Sequence, residues 1–451
     1  MKKNIKFFII VSAVISIIII LFETDISAQT NFTHVTDKPV FSYGASGEWD
    51  NGTVWNPSII KDGDTLRMWY TGFDCSVWES MQSPRGKIGY AWSLDGIEWH
   101  RYTGNPVLSG ELSWEASNLL NCAVIKDNDT LKMWYGANGI PSTKIGYATS
   151  ENGKNWSKHP DPVLQIGTYP DWDHALIVPH TVIKEDSIYK MWYYAGKSGF
   201  PLEPSMPQTG LATSKDGINW IKYDDPSTTE APFSNSDPVL KVGDSDEWDS
   251  HRIIDPMVLQ TETGYEIWYL GVKAPINTAQ IQKIGYATSA DGIKWRKFPN
   301  NPIINTNPVW GYCYYGGTVL KFNGGYHFWY ACFHTPPTQA KPQIGYATSP
   351  ITGVETADNE REIPTQFSLS QNYPNPFNPN TTIMYSIPKQ SYITLKVYDI
   401  LGREVAALVN EDKPSGNYQV EFNAADLSSG VYFYRIQAGS FNQVRKMMLI
   451  K

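Results

Sequence analysis

Positive charge is the first thing this sequence is short of. Its 37 Lys and Arg are outnumbered by 45 Asp and Glu, a formal net charge of −8, which excludes the basic footprint that nucleic-acid binding needs. Cysteine is scarce as well: Cys75, Cys122, Cys313 and Cys332 are the four in 451 residues. Their spacing fits no metal motif and a chain of this size does not need staples, so their pairing stays open. Long apolar runs are nearly absent. The one run, Phe7 to Phe22, follows Lys2 and Lys3 and precedes the small residue Ala28. That layout predicts a secretory signal peptide over 1–28; an uncleaved anchor is the competing reading, because the run approaches bilayer-spanning length. With no second run like it, the mature protein is expected to be soluble or tethered at a surface.

Aromatic residues, by contrast, make up 14% of the chain, alongside 35 Gly and 30 Pro. This composition suits an all-β protein with many tight turns. The phrase "KIGYATSADGIKW" (283–295) has close copies at 87–99, 144–156 and 209–220, and a truncated one, "QIGYATSP", at 343–350. Each copy follows two short apolar strands, such as "NPSIIKD" (56–62) with "TLRMWYTG" (65–72), or "DPMVLQT" (255–261) with "GYEIWYLG" (264–271). Asp-Gly and Asn-Gly supply the positive φ that hairpin turns need. Four antiparallel strands per unit, repeated five times, predict a five-bladed β-propeller over 29–352. The fifth copy lacks its last strand, and "NFTHVTDKPVF" (31–41) supplies it: Phe32 precedes Pro39 by seven residues, as Trp99 precedes Pro106. Closing the ring in this way removes an exposed sheet edge.

The "WD…NP" lead-in, the "MWYxG" strand and the "IGYATSxDGxxW" hairpin resemble the five-bladed propeller glycosidases. That superfamily groups arabinanases, β-xylosidases, invertases and levansucrases (glycoside hydrolase family 43/32-like) with mannoside phosphorylases. The resemblance covers about residues 30–350, and it speaks for fold far more than for substrate. A polar linker (353–366) then leads into a tail, 367–451, whose alternating apolar residues and turns predict a small β-sandwich. Its phrases "NYPNPFNP", "VYDILGREV" and "SSGVYFYRI" resemble the C-terminal sorting domain of the type IX secretion system. That resemblance implies export across the outer membrane, the type IX machinery as a partner, and release or attachment at the cell surface.

In a propeller the loop into the first strand of each blade and the loop between its second and third strands share one face. The resemblance implies a substrate pocket on that face, whereas the Asp-Gly turns lie on the other. Residues that recur in every copy most simply pack the scaffold. Among the 17 Trp, Trp55, Trp78 and Trp92 do not recur. Trp55 and Trp78 fall on the pocket face, where an indole either stacks on a sugar ring or fills core. After the leading Trp of each copy stand Asp50, Glu115, Asp173, Asp249 and Gly311. Four acids in five fit a structural role, with Glu115 set apart as a proton donor by its longer reach. At the start of the innermost strand the copies diverge into Asn56, Asn121, His180 after Pro179, Asp255 before Pro256, and Gly316 with Gly317. "RIIDP" (252–256) resembles the motifs at which the superfamily places a catalytic or transition-state-stabilising Asp. The usual first-blade Asp is Asn56 here, which leaves the standard three-carboxylate set incomplete. Asp50 is the substitute, and a phosphorolytic or single-acid route would need fewer carboxylates.

The leading expectation is an exported glycosidase that hydrolyses a poly- or oligosaccharide through paired carboxylates. Asp255 would be base or stabiliser, Glu115 the donor and Asp50 the third carboxylate. Trp55, Trp78, Asn56, Asn121, His180 and Arg252 would hold the sugar, with His174 and His251 as further contacts. No cofactor is required; the superfamily sometimes carries calcium in its channel, but nothing in this sequence calls for it. Carbohydrate and secretion machinery are the partners, and a monomer is expected. The competing reading is a non-catalytic glycan-binding propeller, favoured by Asn56. A purely structural surface protein fits less well, because the divergent polar residues gather on one face.

Overall fold

A computed structural model describes residues 31–74, 85–138, 143–197, 206–273, 282–304, 308–334, 341–350, 367–372 and 375–450. The stretch expected to be a signal peptide, Cys75, Trp78 and the whole linker lie outside them. The chain divides into two compact units, Met1–Gly353 and Val354–Lys451.

Among the described residues the first unit is five antiparallel sheets of four or five strands each, with one 3₁₀ turn at Ser113–Glu115. The inner strands are Thr53–Asp62, Leu119–Asp127, Leu176–Glu185, Arg252–Thr261 and Gly311–Phe322. They pack side by side in that order, and the fifth returns to the first. All five wall one shaft of about 260 Å³, lined by Ile60, Ile125, Val182, Leu259 and Val319 among others. The outer strand of the fifth sheet is Thr33–His34, antiparallel to Thr348 and Ala347. Phe32 sets its edge on Trp268 at 6.4 Å and on Phe328 at 5.6 Å. Other copies fill the same slot with Trp, as Trp99 does against Trp329 and Trp156 against Trp69.

The repeated phrase latches each sheet to a neighbour. In "SLDG" the Ser93 hydroxyl accepts the Gly96 N–H at 2.8 Å, and Asp95 Oδ1 accepts the N–H groups of Ile97 and Glu98, both at 2.8 Å. This holds Gly96 at φ 78° with its carbonyl aimed at the next sheet. There the fully buried Trp329 donates its indole N–H at 2.9 Å. Trp69, Trp134 and Trp192 do the same to Gly153, Gly217 and Gly292 at 2.8, 2.7 and 3.0 Å. A Cβ on Gly217 would lie 2.9 Å from Trp134 Cζ2 at a φ of +82°, so the turn demands glycine for space and for backbone freedom. Gly217→Ala is therefore expected to destabilise the first unit by about 2 kcal/mol, read as a lower midpoint in thermal unfolding.

The second unit forms two sheets. One joins Ser368–Leu369, Asn380–Ile387 and Gly416–Asn423; the other has the order Glu404–Lys413, Ser391–Tyr398, Gly430–Ala438 and Phe441–Leu449. Their inner faces share one core containing Ile383, Tyr385, Leu395, Val397, Tyr434 and Ile436, as period-two alternation requires of a sandwich. Among the described residues no helix is long and apolar enough to cross a membrane.

Candidate active site

Every inner strand breaks register at the same level. The shifts fall between Trp55 and Ser58, Leu120 and Cys122, Pro179 and Thr181, Ile254 and Met257, and Tyr315 and Gly317. A bulge leaves its extra residue out of the ladder and bends the strand. Asn56, Asn121, His180, Asp255 and Gly316 sit at these five bulges. Three adopt positive φ: Asn56 at 46°, Asn121 at 23° and Asp255 at 53°. Asn and Asp bear this better than other side chains, which gives a local reason for the residue types found there. Just below, hydroxyls stitch neighbouring strands: Thr318 donates to the Pro57 carbonyl and Thr181 to that of Pro256, each at 2.6 Å, while Ser58 accepts the Val124 N–H at 3.0 Å.

The bulges gather their residues into one ring. Asn56 Nδ2 donates to Asn121 Oδ1, and His180 Nε2 lies 3.8 Å from Asp255 Oδ1. A Cβ on Gly316 would collide with Asn56 Oδ1 and come within 3.0 Å of Asp255 Cγ and 3.1 Å of His180 Nε2. Only glycine lets the ring close. Burial pushes the Asp255 carboxyl up to about 7, against the Gly316 N–H and the Asn121 amide, which favour the charged form. Burial pulls His180 down to about 3, opposed by the Pro256 carbonyl. Near neutral pH the ring thus holds an uncharged imidazole beside a carboxyl that readily keeps its proton. Among the described residues Asn56 Oδ1 and His180 Nδ1 have no hydrogen-bond partner, and buried polar groups left unpaired call for an explanation such as a functional role.

Beside the ring stand aromatic residues. Trp55 and Tyr315 occupy equivalent positions in adjacent sheets and stack at 6.0 Å and 24°. Trp55 also meets the Phe73 edge at 5.3 Å. The Tyr194 hydroxyl is raised well above its ordinary value by burial, then by Asp255 and Tyr315, while Arg252 opposes them. Tyr194, Arg252, Asp255 and Tyr315, from three different sheets, are therefore within electrostatic reach of one another.

The structure places Glu115 and Asp50 elsewhere, and the proton-donor and third-carboxylate roles expected of them do not fit. Glu115 is fully buried. It accepts the Tyr135 hydroxyl at 2.7 Å and the N–H groups of Glu111 and Leu112 at 2.7 and 2.8 Å, and pairs with Lys158 at 2.8 Å. Asp50 accepts the Tyr70 hydroxyl at 2.9 Å and pairs with Arg101 at 3.2 Å. Asp173 pairs with Lys222 at 2.5 Å and Asp249 with Lys297 at 2.7 Å. Each cation stands two residues after the outer-strand Trp of its copy. The fifth copy loses both partners: Gly311 replaces the acid, and His34, two residues after Phe32, meets the Tyr330 hydroxyl at 2.8 Å instead. Acid and cation vanish together, so the pair is one packing unit.

The ring brings together four expected residues, Asn56, Asn121, His180 and Asp255, with Trp55 and Arg252 beside it. His251 is buried, and among the described residues its Nε2 has no partner. His174 lies in the lead-in loop against Tyr169, 5.3 Å between ring centres. Sequence reasoning missed Gly316, Tyr194 and Tyr315 as site residues. A signal existed for Tyr194, since the residue after "WY" is otherwise Thr71, Gly136, Leu270 or Ala331. Cys122 and Cys332 are both buried. No group of three or more His, Cys, Asp or Glu among the described residues is arranged to hold a metal ion.

Comparison with known proteins divides the chain as its contacts do. Residues 371–451 match the secretion system C-terminal sorting domain. This sorting domain supports export through type IX secretion and names the machinery as a partner. The remainder resembles glycoside hydrolase-like propellers. A putative glycoside hydrolase from Parabacteroides distasonis superposes with a TM-score of 0.56 at 16% identity, over 72% of this chain and 98% of that one. A structure from the GH130 family of mannoside phosphorylases, which contains glycoside hydrolases targeting β-1,2 mannosidic linkages in Candida mannan, gives 0.50 at 19% identity over 71% and 93%. In sequence, a β-1,2-mannobiose phosphorylase of Thermoanaerobacter is 29% identical over 136 residues, 28% of this chain and 45% of the relative. Two of these three are described as mannoside phosphorylases or members of their family, and the family 43/32 likeness is not confirmed.

Proposed function

We propose that this protein is an exported five-bladed propeller enzyme that cleaves a glycosidic bond, with Asp255 as the acid that protonates the leaving oxygen. The observation that carries the reading is the ring itself: one carboxyl, near-neutral in its affinity for protons, held among two amides, an uncharged imidazole and a glycine, with aromatic residues beside it. A general acid works best with a pKa close to the working pH. The Asn56 amide orients sugar hydroxyls, the His180 ring offers a further polar contact, and Trp55 with Tyr315 supplies flat apolar surface for a sugar face. Among the described residues no second carboxylate faces Asp255, which favours a nucleophile that arrives from outside the protein. Inorganic phosphate is such a nucleophile, and the likeness to mannoside phosphorylases supports it over water. β-1,2-Linked mannosides are the first substrates to try.

The test is incubation of the purified full chain with a panel of oligosaccharides, with and without inorganic phosphate. Sugar 1-phosphate formed only in the presence of phosphate is the expected product. Free reducing sugar formed equally without phosphate would make the enzyme a hydrolase instead. The non-catalytic reading draws on the Asn56–Asn121 amide pair, which stands where carboxylates would be needed. It predicts glycan binding with no product over long incubation.

A further inference from the structure

Arg252, beside the ring, has no counter-ion among the described residues. It is partly buried, its Nε has no hydrogen-bond partner, and among the described residues it joins no ion pair. Elsewhere in the same unit Arg67 holds Asp62 at 3.0 Å and Arg101 holds Asp50 at 3.2 Å. Burial disfavours the charged form of Arg252, and the only groups that counter this are the Tyr315 and Tyr194 hydroxyls. A guanidinium withdrawn from water and left unpaired is costly. Among the described residues its side chain makes no hydrogen bond or ion pair that would tie one sheet to another. It sits three residues before Asp255 on one strand, with Tyr194 and Tyr315 reaching it from the third and fifth sheets.

We propose that Arg252 is the anchor for a carboxylate carried by the glycan, so that the site takes an acidic, uronate-containing saccharide. The inference rests on the reading of this ring as a glycan site. The planar guanidinium presents parallel N–H donors that match the two oxygens of a carboxylate, and flanking tyrosine hydroxyls complete its hydrogen bonding. Inorganic phosphate, the nucleophile of the proposed reaction, offers a guanidinium the same paired oxygens, so the two anions are separated by experiment. A sugar ring whose carboxylate is held here lies against the Trp55–Tyr315 stack, with a neighbouring glycosidic oxygen over Asp255.

Calorimetric binding to the full chain separates the possibilities. Uronate-containing disaccharides, each set against its neutral counterpart, and inorganic phosphate alone are the probes, with wild type, Arg252→Gln, Arg252→Lys and Asp255→Asn as hosts. The acidic disaccharide is expected to bind wild type at least about tenfold more tightly than the neutral one. Arg252→Gln should erase that preference, so that acidic and neutral disaccharides bind alike, and Arg252→Lys, which keeps the charge but not the fork, should retain part of it. Equal binding by wild type and Arg252→Gln overturns the site. Phosphate binding that is lost in Arg252→Gln, with no preference for uronate, overturns the assignment to the glycan. Binding is read without turnover and also in Asp255→Asn, so a failure to find any cleaved substrate counts against the proposed reaction and leaves this result standing.

Discussion

Asp255→Asn is expected to reduce glycan cleavage by on the order of a thousandfold in kcat/KM while making the protein more stable at pH 8. Both effects follow from one buried carboxyl. Its affinity for a proton is raised from 3.8 to about 7 by burial, so above pH 7 the fold carries an ionised group that the unfolded chain would hydrate. Between about pH 4 and 7 the folded protein holds a proton that the unfolded chain has released, so this group lowers stability as the pH rises through that window. His180 runs the other way. Its value falls from 6.5 to about 3, so stability is lost as the pH drops below 6.5, where the unfolded imidazole takes a proton that the folded one refuses. From about pH 4 to 6.5 the two slopes oppose each other and nearly cancel. The variant keeps only the histidine slope. Its stability advantage over wild type should therefore grow from pH 4 to 7 and level off, reaching on the order of 4 kcal/mol as an upper bound. Denaturant unfolding at several pH values measures it, and an unchanged difference across that window would refute the assignment. Activity of the wild type should fall above pH 7 as the acid ionises.

Glu115→Gln is expected to do the reverse: a loss of about 3 kcal/mol or more in stability, with kcat/KM of the folded protein unchanged. The substitution strands the Lys158 ammonium, whose side chain is only 11% exposed, beside a neutral amide. A buried charge left without its partner is among the costliest single changes a fold can suffer. Thermal unfolding together with active-site-normalised rates separates the outcomes. A folded variant without activity would restore Glu115 to the chemistry and undo the packing role described above.

Much of this architecture was legible in the residues. The "DG" turn, the "WY" strand and the leading Trp recur because each sheet must present the same latch and the same indole to its neighbour. The missing strand of the last copy could be found at the other end of the chain from Phe32 alone. The site was legible only as a set of exceptions. Asn56, Asn121, His180 and Asp255 stood out because a scaffold position that refuses to repeat must answer to something other than the scaffold, while Gly316, equally divergent, was passed over. Glu115 was misjudged by side-chain length. The repeating cation two residues beyond each outer Trp, lost together with the acid in the fifth copy, was the clue to its packing role.

By itself the sequence determined the number of repeats, the hairpin turns, the closing strand and the separate tail, all of which rest on local periodicity and turn chemistry. Tertiary structure alone decided which side chains meet. The five bulges lie some 60 to 75 residues apart along the chain, and no local pattern encodes that one bulge aims its residue at another. Only the closed ring sets Gly316 against Asp255 and His180, strips both of water, and shifts their proton affinities in opposite directions. Only the ring, too, leaves Arg252 partly buried with no carboxylate partner among the described residues, because pairing is a matter of distance in space and not of spacing in sequence.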